Sequence, residues 1–447
     1  MRTSRVSRRQ FLATTAAASA LVAMPHVRGS HAAGKLAVGF WDHWVPGANK
    51  AMTEMCEAWA AKEKVDLTID YFSTQGSKLQ LTIAVEAQAR SGHDIMDFSA
   101  WEPAQHANSL EPVDDVMREV LARNGPVTGV IDYLAKPGGH WLVVPGIRGT
   151  LLLCSCSRFD LLQQHAGIDI LAMYPAGAEP TKAAEGWTWD AFLTAAEQCH
   201  KAGVAFGLPL GATTDTIDWV GPLFHAFGAD LVDANGKLTV KSDAVRQVLD
   251  YSKRLAAFLP PDVSAWDNAS NNKWLISSKG ALIFNPPSAW AVAKRDAPQV
   301  AEKLWTHAMP KGPRGRFVAM LPRFQGLWNF SKNKSAAKSL MLHVSSREAA
   351  EKLVAACQGY DLPPFAKFND FKTWDEEGPP KGSLSHYPIK GGDQVAGVTC
   401  SPAPPLIAAQ IWNQSIQSQM VVRYFKGESM EKTLDWAAKE VEGFKRT

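Results

Sequence analysis

A chain of 447 residues is too long for one small hydrophobic core and suits two domains or lobes. With 46% hydrophobic and 20% charged residues it has an ordinary globular composition, which excludes a long disordered tract; 16 Trp is the unusual count. The formal charge of +3 belongs to the amino terminus: residues 1–32 hold Arg2, Arg5, Arg8, Arg9 and Arg28 and no acid, so without them it becomes −2, which argues against a nucleic-acid partner.

The chain opens with Ser7-Arg8-Arg9-Gln10-Phe11-Leu12, an apolar, Ala-rich run over residues 12–24, and Ser30-His31-Ala32, a small-x-small cleavage pattern. This predicts a twin-arginine signal peptide over residues 1–32, the twin-arginine export machinery as a partner, and a mature protein in the periplasm. The apolar run is too short to anchor the chain in a bilayer. An oxidising compartment permits disulfides among Cys56, Cys154, Cys156, Cys199, Cys357 and Cys400, but their spacing names no pairing. Cys154-Ser-Cys156 lies in a strand-like run where alternate residues share a face, and reads as two small buried side chains.

Residues 36–40 predict a strand that runs into Trp41-Asp42-His43-Trp44. Pro46-Gly47 is expected to break the chain before a helix over 50–64 with Met52, Met55, Cys56 and Trp59 at helical spacing. Val65, Leu67, Ile69 and Tyr71 alternate as a second strand, Gln75-Gly76-Ser77 turns into a helix over 78–91, and residues 94–98 form a third strand before Ser99-Ala-Trp101-Glu102. This alternation predicts a parallel sheet with crossover helices, in which ligands gather outside the carboxyl ends of the strands. Those ends carry Trp41, Asp42 and Trp44; Gln75 and Ser77; and Trp101 and Glu102. Aromatic faces mixed with short hydrogen-bonding groups suit a polyhydroxylated ligand, although a catalytic pocket can show the same mixture.

Trp141-Leu-Val-Val-Pro145 ends a strand, and Gly146-Ile-Arg148-Gly149 reads as a connection able to bend. Thr188 is expected to cap a helix over 189–201, residues 206–210 read as a strand, and Thr213-Thr-Asp215-Thr-Ile-Asp218-Trp219 is a polar approach to another helix. Asn235-Gly236 predicts a small hairpin, and Ser242 caps an amphipathic helix. In Gly280-Ala-Leu-Ile-Phe-Asn285-Pro-Pro-Ser-Ala-Trp290, four apolar residues make a short buried strand that Asn-Pro-Pro-Ser ends abruptly, so Asn285 and Trp290 reach an edge able to face a crevice. Lys311-Gly-Pro-Arg-Gly-Arg316 reads as a solvated loop, and residues 322–326 as a turn before a strand over 327–330. Helices follow over 335–344 and 347–357, then a loop-rich region over 363–405. The last helices carry Trp412 and, after a Ser429 cap, Trp436.

With these pieces in order, the chain resembles an extracellular (periplasmic) solute-binding protein of an ABC importer, in the sugar-binding branch similar to maltose-binding protein. The likeness rests on the export signal, the Lys279-Gly-Ala-Leu-Ile-Phe-Asn285 strand after a helix, the Thr188-Trp189-Asp190 helix start and the terminal helix near 427–436. It covers almost all of residues 36–447. The resemblance implies a two-lobed α/β periplasmic-binding-protein fold with a cleft between lobes joined by several hinge crossings: residues 36–147 and 285–333 in an N-terminal lobe, 148–284 and 334–447 in a C-terminal lobe. It implies ligand contacts at Trp41, Asp42, Trp44, Gln75, Ser77, Trp101, Arg148, Asp218, Trp219, Asn285, Trp290, Arg323 and Gln325. The first crossing departs from the family's common Tyr-Asn pair, reading Leu-Leu-Leu-Cys-Ser-Cys-Ser over residues 151–157.

The implied function is reversible binding of a sugar or related polyhydroxylated solute by hinge closure and its delivery to the transmembrane subunits of an ABC permease. No catalytic residue, cofactor or metal is expected. The alternative is an anionic solute, such as a sugar acid or glycerol phosphate, paired with Arg148 or Arg323. The rival class is an exported enzyme, but the sequence has no His-Glu-x-x-His, Gly-x-Ser-x-Gly, Cys-x-x-Cys or Gly-x-Gly-x-x-Gly. Glu102 and Asp218 on separate loops read as polar rim. A receptor or scavenging module without a transport partner fits the same residues.

Overall fold

The computed structural model describes residues 34–378, 380–383 and 394–445, so the expected signal peptide over residues 1–32 lies outside the described residues. Strands run β1 (Lys35–Trp41), β2 (Asp66–Phe72), β3 (Ile95–Ser99), β4 (Val143–Pro145), β5 (Leu151–Leu152), β6 (Cys154–Arg158), β7 (Leu282–Asn285), β8 (Leu304–His307), β9 (Lys311–Gly312), β10 (Gly315–Leu321), β11 (Arg323–Leu327) and β12 (Gln394–Gly397). Among the described residues no helix is long and apolar enough to cross a membrane.

The first sheet has the order β2-β1-β3-β11-β4. β1 pairs in parallel with β2 from Lys35↔Asp66 to Trp41↔Phe72, and with β3 at Val38↔Ile95, as the strand and helix alternation predicts. β11 and β4 extend it with antiparallel pairs. Leu36, Val38 and Phe40 share one face of β1 and are buried, as crossover helices over a sheet require. The helix Pro46–Glu63 buries Met52, Met55, Cys56 and Trp59. It begins four residues earlier than expected because Pro46 occupies its first position, where a missing N–H leaves no bond unmade.

A second sheet, β7-β6-β8, is antiparallel throughout. The six cysteines are free and buried, Cys154 and Cys156 on β6 among them. Between the two sheets lies a third, β12-β10-β5 with β9 on its flank. Here the first crossing (β4 to β6) and the second (β8 to β11) bond to each other, Met320↔Leu152 and Leu321↔Leu151. These two crossings therefore pair as a short two-stranded ribbon, and the chain makes a third passage after the helix Arg347–Ala356, from which β12 joins the same sheet. The two outer sheets with their helices form the lobes of an α/β fold.

Several local expectations are corrected. Residues 311–316 are no solvated loop but the β9–β10 hairpin, and Arg316 is buried because its guanidinium donates to the carbonyls of Ala184, Trp187 and Met309. The strand expected over 327–330 lies instead at Arg323–Leu327, with Pro322 just ahead of it, where a missing N–H breaks no ladder bond. Residues 206–210 form no ladder; the segment is tied by single bonds from Gly207 N to Leu282 O (2.8 Å) and Leu210 N to Val263 O (2.8 Å). The loop-rich region yields β12, parallel to β10. Two pieces also pair against the expected lobe division. β8 joins β6, and the helices Lys334–Val344 and Arg347–Ala356 pack on Pro46–Glu63, where Trp59 Nε1 donates to Ser339 Oγ at 3.3 Å.

Candidate functional site

The carboxyl ends of β1, β2 and β3 open onto a narrow chamber of about 60 Å³. β1 brings Trp41 and Trp44, β2 brings Thr74 and the following Gln80, and β3 brings Ser99. The crossing strands contribute Gly149, Leu151 and Arg323. Facing them are Asp215 in the first turn of the helix Thr214–Phe227, then Asn268, Asn272, Asn285 and Ser288, with Tyr360 and Trp412 closing the sides. The chamber adjoins an outer vestibule of about 620 Å³, lined by Gln75, Ser77, Gln105, Asp267 and Asn413 among others, with Thr74, Gln80, Thr214, Asn268 and Trp412 common to both. A vestibule of this size falls within the ordinary range for small-molecule sites.

The far wall is a closed amide ring. Asn285 Nδ2 donates to Asn272 Oδ1 (2.7 Å), Asn272 Nδ2 to Ser288 Oγ (3.3 Å), and Ser288 Oγ to Asn285 Oδ1 (3.1 Å). Asn271 Nδ2 then donates to Asp215 Oδ2 at 2.9 Å. Burial pushes the Asp215 carboxyl up to about 7; the Asn271 bond opposes this, and the charges of Asp218 and Asp267 add to it.

On the near wall the Arg323 guanidinium lies 4.5 Å from the Trp41 ring centroid, within cation–π range. Burial lowers the Arg323 pKa, while the carboxylates of Glu102 and Asp97 act in the other direction. Arg148 is spent elsewhere: it donates to Trp41 O (2.7 Å), Asn49 Oδ1 (2.6 Å) and Asp97 Oδ2 (3.2 Å), and Asp97 also accepts from Trp41 N at 2.9 Å. Arg148 thus ties the ends of β1 and β3 to the first crossing from behind the chamber.

Of the residues expected from sequence, Trp41, Trp44, Asn285 and Arg323 line the chamber, and Gln75 and Ser77 the vestibule. The others lie off the cleft. Asp42 is exposed and accepts from Asn49 Nδ2 (2.7 Å). Trp101 is buried, donating to Thr399 O (3.0 Å). Asp218 is buried and accepts from Thr399 Oγ1 (2.7 Å) and Trp412 Nε1 (3.3 Å). Trp219 is a core residue bonded to Pro209 O (2.8 Å). Gln325 is buried in the interior of the first sheet. Trp290 belongs to a separate apolar cluster with Leu275, Ala293 and Leu304, and borders an outer groove beside Lys294.

Asp215, Asn268, Asn272, Tyr360 and Trp412 also line the chamber and are not among the residues expected from sequence. The signal for Asp215 was present, since a polar residue in the first turn after a strand-like run faces the strand ends. Tyr360 follows a Gln358-Gly359 turn, and nothing local ties it to the first strands. Among the described residues no group of three or more His, Cys, Asp or Glu side chains could hold a metal ion.

Residues 45–356 match the family described as bacterial extracellular solute-binding protein. A probable ABC transporter-binding protein of Deinococcus radiodurans is 26% identical over 272 residues, 58% of this chain, and the match spans about half (56%) of that relative's length. Maltose-bound MalE3 of T. maritima has a TM-score of 0.73 at 17% identity, with 92% of this chain and 99% of that one covered. A sugar transporter protein of Arthrobacter chlorophenolicus solved with laminaribiose gives 0.72 at 14% identity, covering 93% and 99%. A solute-binding protein of Agrobacterium vitis solved with D-mannitol gives 0.68 at 17% identity, again covering 93% and 99%. At these identities the structural likeness concerns the fold.

Proposed function

The chain belongs to the bacterial extracellular solute-binding protein family, and from that premise we propose that it reversibly binds a sugar or related polyhydroxylated solute and delivers it to the membrane permease of an ABC importer. One observation carries the reading: Trp41, Trp44 and Trp412 line one narrow chamber together with a wall of amides and a carboxylate. Apolar ring faces of a sugar stack on such aromatics while its hydroxyls pair with Asp215, Asn268 and the amide ring. The two-stranded ribbon of β5 and β10 is the hinge in this reading, bending so that the lobes close on the solute and release it intact.

In this proposal the first lobe comprises residues 35–147 and 322–356, and the second residues 154–310 and 405–445. The chamber residues Trp41, Trp44, Asp215, Asn285, Arg323 and Trp412 hold the solute, and Gln75 and Ser77 meet it at the vestibule. The reading requires no covalent step, cofactor or metal, and it places the mature protein in the periplasm after export by the twin-arginine machinery. Replacing Arg8 and Arg9 with Lys tests the export route; unimpeded export of that variant removes it.

Thermal-shift screening against sugars and polyols tests the function. A ligand held by the folded cleft raises the melting temperature by mass action, about 2.7 kcal/mol of stabilisation at a hundredfold excess over Kd. If the protein consumes a sugar, or no polyol shifts its melting, the reading is overturned.

A further inference from the structure

Trp41 and Arg323 form one wall of the chamber, and each has a buried N–H without an acceptor among the described residues: Trp41 Nε1 and Arg323 Nη1. Gln105 Nε2, on the vestibule, is a third buried donor in this state, whereas several others around the chamber are used. The amides of Asn272 and Asn285 serve the ring with Ser288, and Trp412 Nε1 goes to Asp218. A buried donor left unpaired costs about 1–3 kcal/mol, and a buried charge costs more. Two such donors side by side favour a ligand that brings acceptor oxygens to this wall.

The carboxylates of Asp97 and Glu102, whose charges act on Arg323, are engaged with other donors, although Glu102 Oε1 is buried without one. Asp97 accepts from Trp41 N and Arg148, and Glu102 accepts from Ser99 N at 2.6 Å. Among the described residues neither forms an ion pair with Arg323. A neutral hydroxyl would satisfy an N–H here but add nothing to the partial compensation that Glu102 and Asp97 give the cation. A carboxylate does both, with two oxygens in one plane suited to a guanidinium fork. The opposite wall has the reverse character: Asp215 and the side-chain carbonyl of Asn268 take hydroxyl hydrogens. The dimensions agree, since the chamber is about 60 Å³ and the vestibule about 620 Å³, so a small planar group fits inward and a bulkier hydroxylated body outward.

We infer that the solute is a sugar acid, its carboxylate accepting from Trp41 Nε1 and Arg323 Nη1 while its hydroxyls run along Asp215 and Asn268 into the vestibule. This rests on the sugar-binding reading and narrows it. The raised Asp215 pKa supports it, because a carboxyl that is only partly ionised near neutral pH repels an incoming acid less.

The test is calorimetric titration of the purified protein with D-gluconate and D-galacturonate beside their neutral parents D-glucose and D-galactose, with D-mannitol and glycerol 3-phosphate as further arms. An acid is expected to bind at least about tenfold tighter than its parent, and Arg323→Gln to bring that ratio below about threefold, the loss of one charge-assisted pair. Arg323→Lys, which keeps the charge but not the fork, should retain part of the preference. The wild-type comparison needs no variant to fold. Equal or tighter binding of the neutral parents overturns the inference and leaves the sugar reading standing. Tighter binding of glycerol 3-phosphate than of either acid overturns the carboxylate. Binding of no polyol, charged or neutral, overturns both.

Discussion

Arg323 and Trp41 stack at 4.5 Å over a glycine: a Cβ on Gly149 would lie 2.7 Å from Arg323 Cγ and 3.0 Å from the Trp41 ring. Gly149 also has φ +91°, a backbone region that side chains adopt only with strain. Gly149→Ala is therefore expected to lose about 2–4 kcal/mol of stability from strain and overpacking together, and to weaken sugar binding because both chamber residues must shift. Denaturant melts with titration of the best-binding sugar check this. Wild-type values for both would mean that the near wall is not packed as described.

Two tryptophans separate the cleft from the core. Trp44→Ala removes a partly exposed chamber wall, so binding should weaken about tenfold or more with little loss of stability. Trp290→Ala empties a buried cluster site, with an expected loss of about 3–5 kcal/mol and an affinity of the folded protein within about twofold of wild type. The reverse pattern in paired melts and titrations would return Trp290 to the binding site.

The sequence made the strand ends legible and left their partners hidden. Trp41 and Gln75 follow alternating apolar runs, and Asn285 ends a strand at a Pro-Pro break, so local chemistry was enough to bring them to an edge. Arg148 and Arg323 look alike from sequence, both beside a crossing. What distinguishes them is that Arg148 finds acceptors on residues 41, 49 and 97, contacts fixed only by the sheet. Asp215 and Asp218 lie three apart on one helix, where the first turn meets the cleft and the next is buried under Thr399 and Trp412. Tyr360 and Trp412 arrive from the far end of the chain, and no local periodicity carries that information.

Asp218 also gives a prediction in pH. Burial raises its pKa from 3.8 to about 7, against the bonds from Thr399 and Trp412, and its Oδ2 is buried without a donor. The folded state therefore keeps a proton that the unfolded chain has released, so this group's contribution to stability is greatest below about 4, falls as pH rises, and is lost above about 7. Asn at this position retains an oxygen for both donors and never ionises. Asp218→Asn is thus expected to flatten the decline between pH 4 and 7 and to melt higher than wild type at pH 8, with the difference fading toward pH 4. Melting curves at pH 4, 6 and 8 measure it; a variant less stable than wild type at pH 8 would show that the carboxylate is compensated.

His43 lies behind the chamber between two of its aromatics, 4.7 Å from the Trp41 ring and 5.1 Å from Tyr360. Its Nδ1 accepts the Val45 N–H at 2.8 Å, so the ring proton is on Nε2, which donates to both oxygens of Asp361 at 3.1 Å. Both side chains are fully buried. Removing Asp361 leaves a neutral N–H unpaired and not a stranded charge, which sets the expected cost of Asp361→Ala at about 1–3 kcal/mol. Because the pair joins the end of β1 to the segment carrying Tyr360, the same change should weaken sugar binding by freeing both rings. Asp361→Asn keeps an acceptor oxygen and should recover most of both losses, while His43→Leu, which removes the polar ring, should not. Melts and titrations of the three variants decide it: if Asn is as damaging as Ala, the carboxylate charge matters more than its hydrogen bond, and the pairing drawn here is wrong.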